Sequence, residues 1–112
     1  ATTAPATARA AGLEAKVLQV FGRRGLFLGD LIRPKGVTVD AAGNIYVVES
    51  YYDHLLVFNS QGELLLPMGG AGSGTGQFFL PAGVWSDQRG RIYVADMFNG
   101  RVVVFEYLGE GA

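Results

Sequence analysis

Pro34-Lys35-Gly36-Val37-Thr38-Val39-Asp40-Ala41-Ala42-Gly43-Asn44-Ile45-Tyr46-Val47 returns 47 positions later as Pro81-Ala82-Gly83-Val84-Trp85-Ser86-Asp87-Gln88-Arg89-Gly90-Arg91-Ile92-Tyr93-Val94. The match extends without a gap. Val57-Phe58 answers to Val104-Phe105, and Gly22, Gly25 and Gly29 fall on Gly69, Gly72 and Gly76. Self-similarity at this period marks a repeat architecture, in which no unit can bury its apolar face alone.

One repeat reads as four short strands. Gly36–Asp40 alternates, and Ala41–Asn44 turns the chain, with Asp40 placed to bond N–H groups two residues on. Ile45–Glu49 is dense in β-branched and aromatic residues, and His54–Phe58 follows a polar connection. Asn59–Gly62 is a second turn, and Glu63–Met68 a fourth strand whose Pro67 suits an outer edge. Gly69–Gln77 is a glycine-rich crossing to the next unit. It lacks the Gly-Lys-Ser/Thr ending and following helix of a phosphate loop. No window places apolar residues at helical spacing. Four antiparallel strands and a crossing per repeat make one blade of a β-propeller, so the expected class is all-β.

The residues of both copies resemble the NHL repeat. Pro34–Val47 resembles that repeat's opening, and Glu49–Phe58, with His54-Leu55 inside it, resembles the segment that names the family. The same holds for Pro81–Val84, Gly90–Asp96 and Asn99–Val102, and for Gly72–Phe78 between them. The resemblance covers about residues 16–109. It implies a propeller, usually of six blades, but not a single activity, since such folds host unrelated functions.

The register is permuted. The second copy holds strands over 83–87, 91–96 and 101–107 and no fourth, whereas Lys16–Gly22 matches the fourth strand of a preceding blade. The expected organisation is an Ala/Thr/Pro-rich flexible tail over 1–15 and a two-blade unit over 16–112. Within that unit, 16–22 is a lone fourth strand, 34–69 a complete blade, and 81–108 three strands of another. Two blades cannot close a ring. Its completion falls to other chains or to sequence beyond this one. With Val17, Leu18, Val20 and Phe21 as an assembly strand, a homo-oligomer of three chains would give six blades; a different propeller chain is the other candidate partner.

Composition narrows the function. A net charge of −1 gives no global pull toward nucleic acid or anionic membrane. Without cysteine there are no disulfides, thiolate metal sites or cysteine nucleophile. No apolar run reaches the roughly 20 residues of a membrane helix, so membrane insertion is not expected. The Ala/Thr-rich opening suits an exported chain trimmed at small residues, which slightly favours an extracytoplasmic location, and suits an interdomain linker as well.

The candidate residues carry little chemistry. His54 is the only histidine, and its role is read as structural. Asp40 and Asp87 recur one per blade and fasten the first turn, and Glu49 and Asp96 end the second strand, where they could line a polar rim. No catalytic residue, metal ligand or cofactor is assigned. Arg23, Arg24, Arg33 and Lys35 form one small basic cluster, diluted by nearby acids. The loop residues Leu26, Phe27, Leu28, Tyr51, Tyr52, Asp53, Phe98, Asn99 and Arg101 are the candidate contacts for a protein partner. The expected function is a non-catalytic interaction and assembly scaffold. A metal-dependent lyase or hydrolase of the NHL-like type, and an RNA-binding NHL domain, are the alternatives.

Overall fold

The computed structural model describes residues 7–109. Among them every regular element is a strand. β1 (Thr7–Ala10) and β2 (Leu13–Lys16) pair as a hairpin. β3 (Pro34–Val39), β4 (Ile45–Glu49), β5 (His54–Phe58) and β6 (Leu64–Gly69) form an antiparallel meander in chain order. β7 (Pro81–Ser86), β8 (Arg91–Asp96) and β9 (Arg101–Glu106) repeat its first three strands.

Local chemistry sets the turns. The Asp40 carboxylate accepts from the Ala42 and Asn44 N–H groups at 3.0 and 2.9 Å, and the Gly43 N–H closes on the Asp40 carbonyl at 3.1 Å. Gly43 lies at φ 88°, where a Cβ would be strained. Asp87 holds Arg89 and Arg91 in the same way. The register breaks between Pro34 and Gly36, and again between Pro81 and Gly83, because a proline cannot donate to the ladder.

The two sheets stack face to face as propeller blades. Tyr46, Val48, Leu55 and Val57 of the first press on Ile92 and Val94 of the second, with Phe78 from the crossing between them. All seven are buried. Phe78 meets Phe105 edge-on at 5.6 Å. A second, smaller cluster lies on the other face of the first sheet, where Val47, Leu56 and Phe58 pack against Phe21, Leu31 and Ile45.

At the N-terminal end the structure departs from the sequence reading. Residues 1–6 lie outside the described residues, but 7–16 pair as a hairpin where a flexible tail was expected. Ala11 and Gly12 both take positive φ, the geometry of a tight two-residue hairpin turn, and Arg9 faces Glu14 across it at 3.2 Å. Residues 17–24 carry no strand pairing among the described residues, so the lone fourth strand read over 16–22 has no ladder there beyond Lys16, which closes β2. Phe21 is nonetheless anchored, its ring 5.1 Å from that of Phe58.

Phe78→Ala should cost about 3–5 kcal/mol, because it opens a cavity where both sheets meet. Urea denaturation checks this. Phe27→Ala, at an exposed position, should stay within about 0.5 kcal/mol.

Candidate functional site

The loops that follow β4 and β8 and the crossings that enter β3 and β7 meet at one end of the blades, and buried carboxylates hold them. Glu49 is fully buried. One of its oxygens accepts from the backbone N–H groups of Ile32, at 3.0 Å, and Arg33. The other accepts from the Tyr52 N–H at 2.9 Å. Asp96, its repeat counterpart, accepts from the Phe79 N–H at 2.7 Å, from Asn99 at 2.8 Å and from Arg101 at 2.9 Å. Asp53 adds a third clamp, taking the Leu80 N–H at 2.7 Å. Glu49 and Asp96 therefore do not line a polar rim: they replace water for N–H groups that the crossings would otherwise leave buried and unpaired.

Electrostatics follow from these bonds. Burial pushes the Asp96 carboxyl up, but the Phe79 N–H, Asn99 and Arg101 outweigh it, and the net shift is downward. Asp40 behaves alike: burial raises it, and Tyr46, Asn44 and the Ala42 N–H bring it below its ordinary value. In Asp87 the Arg91 backbone N–H is the leading cause, and the carboxyl falls to about 2. The Tyr46 hydroxyl, buried and donating to Asp40 at 2.7 Å, is held well above its usual range. These acids are pinned as anions by the fold, the reverse of a general acid tuned toward neutrality.

The sequence-selected contacts split in three. Tyr51–Asp53 and Phe98–Arg101 share the clamped end, joined through the crossing: Asp53 accepts from Gly70 and Leu80, and Phe98 bonds Phe79 backbone at 3.0 Å and stacks on its ring at 4.6 Å. Tyr51 and Phe98 stay exposed there, Tyr51 with the Arg33 guanidinium 5.7 Å from its ring centre. Asn99 and Arg101 turn inward. Asn99 donates to the Gly72 carbonyl, and Arg101 donates to the carbonyls of Ser73, Gly74 and Gln77 as well as to Asp96. Glycine-rich backbone offers many uncovered carbonyls, and a guanidinium fork can collect several. Leu26, Phe27 and Leu28 stand apart, on a loop whose Gly29 abuts Leu64 of the outer strand. They are 81, 72 and 64% exposed.

The remaining candidates are quickly placed. His54 opens β5 and stacks on Tyr52 at 6.1 Å. Of the basic cluster, Arg23 pairs with Asp30 at 3.1 Å and Arg24 donates to the Ile32 carbonyl. Among the described residues no three His, Asp or Glu side chains converge as metal ligands, and no helix is long and apolar enough to cross a membrane. A shallow groove of about 600 Å³ runs between the two aspartate turns and is walled by Val39, Trp85, Gln88 and Arg89. Sequence reasoning passed over this groove. Its signal was the pair of departures from the repeat, Thr38 to Trp85 and Val39 to Ser86.

Two antiparallel meanders stacked about a repeat, with glycine crossings between them, define β-propeller blades. The chain belongs to the 6-bladed beta-propeller family, whose sequence model matches residues 33–110. A search of curated proteins returned no match.

Two outcomes are expected. Glu49→Gln keeps the shape but turns an amide donor toward an N–H group, so stability should fall by about 1–3 kcal/mol in urea melts. Lowering the pH should also destabilise the chain. Asp87 sits lower folded than unfolded, so its contribution is complete above the ordinary 3.8 and is lost as pH falls toward about 2. Melting temperature followed through that window should drop, and Asp87→Asn should flatten the slope.

Proposed function

We propose that the chain is NHL-type propeller material and works as a non-catalytic protein-interaction and assembly scaffold. One contrast carries this reading. The carboxylates at the strand ends are spent on backbone N–H groups, whereas large apolar side chains stand uncovered at loops and on outer sheet faces. The rigid part of the molecule thus has little reactive chemistry to offer, and its surface has much to bury. Tyr51 and Phe98 beside the clamped crossings, and Leu26–Leu28 on their separate loop, are the contact residues this reading assigns. Aromatic anchors on a rigid end are well suited to that role.

The alternatives make different demands. A lyase or hydrolase would need ligands converging on a metal, and an RNA-binding face would need unpaired cations in number. Two titrations separate them from the scaffold. Millimolar Zn²⁺ or Ca²⁺ should leave the melting temperature unchanged, whereas a resident metal would raise it. Uridine homopolymer should show no salt-dependent binding by fluorescence anisotropy between about 50 and 200 mM salt, the range over which phosphate contacts lose most affinity. A metal-induced rise of several degrees, or micromolar RNA binding that collapses with salt, overturns the scaffold reading.

A further inference from the structure

The buried interface between the two sheets predicts what covers their outer faces. One side of it is Tyr46, Val48, Leu55 and Val57. Moved forward by one repeat, these become Tyr93, Ala95, Val102 and Val104, which lie on the outward face of β7–β9, with Val102 and Val104 63 and 50% exposed. The other side is Phe78, Ile92, Val94, Val103 and Phe105. Moved back by one repeat, these become Leu31, Ile45, Val47, Leu56 and Phe58. They form the second cluster, on the outward face of β3–β6. Each half of one intramolecular contact therefore recurs on the opposite side of the molecule, on β7–β9 with Val102 and Val104 exposed, and on β3–β6 with Val47, Leu56 and Phe58 covered within the described residues by Phe21, Leu31 and Ile45 but by no second sheet.

Two further observations choose the occupant. Inside the molecule the Thr38 and Ser86 hydroxyls meet at 2.9 Å across the first strands. Their repeat counterparts are Trp85 and Val39, 61 and 54% exposed. Both polar partners have become apolar together, so the outer faces match each other in polarity as the inner ones do. The second observation is the strand. β7–β9 carries no fourth strand among the described residues, and the counterpart of Leu64–Gly69 is Val17–Gly22. Phe21 already lies against Phe58, Val47 and Leu56, the same set of positions that Met68 occupies in the inner interface. A groove of about 340 Å³ remains beside it, lined by Phe21, Leu31, Pro34, Val37 and Val47.

We infer that a second copy of this chain is the occupant. The outer face of β7–β9 docks head to tail on the outer face of β3–β6 of the next copy, whose Val17–Gly22 pairs along β9. The β5–β6 register, Val57 with Leu66 and Leu55 with Met68, sets Gln19 opposite Val104 and Phe21 opposite Val102. Each contact repeats the internal rotation from blade to blade, so each copy advances the ring by two blades. Three copies close it at six, the number of the family. This deepens the scaffold reading and rests on it only for the purpose of the ring, since the face matching stands whatever the loops bind.

Native mass measurement of the 112-residue chain at tens of micromolar should give about three times the 11.9 kDa of one copy. Val39→Glu and Trp85→Glu each alter a side chain already exposed in the single chain, and each should give a folded monomer, with folding checked by circular dichroism. Mixed, they should form a 1:1 pair, because each retains the face that the other lacks; an isologous contact could not do this. Gln19→Cys with Val104→Cys, in a chain without cysteine, should link different copies on oxidation. A folded wild-type monomer, a dimer, an open-ended series of masses, or a disulfide of that double variant closed within one chain overturns the inference. A folded monomer would leave these faces to a blade other than a second copy's, and none of these failures touches the scaffold reading. Metal or RNA binding would instead remove the scaffold and leave the ring untouched.

Discussion

A β-sheet that is apolar on both faces can bury only one of them against a single neighbour, and every feature of this molecule answers to that constraint. β4 and β5 read Ile45-Tyr46-Val47-Val48 and Leu55-Leu56-Val57-Phe58, apolar without alternation. Continuous apolar strands belong in sheets covered on both sides. Tyr46, Val48, Leu55 and Val57 are covered by the second sheet. Val47, Leu56 and Phe58 are covered on the other side only by a passing segment, with Phe21 and Leu31 laid across them. The outer face of the second sheet has less still, and there Val102 and Val104 meet water. Burial is worth roughly 1.5–3 kcal/mol for a large side chain, so such faces strongly favour whatever matches them in shape.

Most of the blade was legible in the sequence because its determinants are local or periodic. The aspartate turns need only Asp40 to reach four residues ahead, and Asp87 likewise. The strands need only dense β-branched and aromatic residues between glycine turns. The repeat then verifies each assignment twice. What escaped were contacts between residues far apart along the chain. Glu49 reads as a charged strand end, and nothing near it announces that Ile32 and Arg33, a whole crossing earlier, will need its oxygens. Arg101 and Asn99 read as exposed loop residues. They point inward because the glycine-rich crossing, some 27 residues upstream, presents bare carbonyls to them. The N-terminal hairpin escaped for the opposite reason. Its pairing is local, but its strands are four residues each, Thr-Ala-Arg-Ala and Leu-Glu-Ala-Lys, alternating only with small or charged residues and nearly without the β-branched and aromatic side chains that mark a strand.

The two crossings show how one geometry tolerates different chemistry. In the first, the Asp30 carboxylate accepts from the Phe27 N–H at 3.0 Å. In the second, Gln77 stands at the equivalent place and its amide oxygen accepts from the Gly74 N–H at 2.9 Å. The backbone closes alike in both, from Asp30 to Phe27 at 2.9 Å and from Gln77 to Gly74 at 3.1 Å. The turn thus requires an acceptor at one position and, in the first crossing, a glycine at Gly29, where φ is 89°, but it sets no demand on the three residues before that glycine. Those three are Leu26, Phe27 and Leu28 in the first, and Ser73, Gly74 and Thr75 in the second. The fold does not ask for three apolar side chains there, and their exposure has a cost in solubility that packing does not offset.

The same logic sorts the whole chain. Where the copies agree, as at Asp40 and Asp87 or Tyr46 and Tyr93, the residue makes the same bond in both blades, and its identity is explained by the blade alone. Where they differ, some pairs find internal partners on both sides and others on one side only. Arg101 ties down a polar crossing, and its counterpart His54 instead stacks on Tyr52. Thr38 and Ser86 meet each other, whereas Trp85 lies on Tyr93 at 5.4 Å with most of its surface in water, and Val39 is equally uncovered. An internal repeat is thereby its own control. Any side chain whose twin is satisfied by the fold, and which is not so satisfied itself, has its reason outside the single chain.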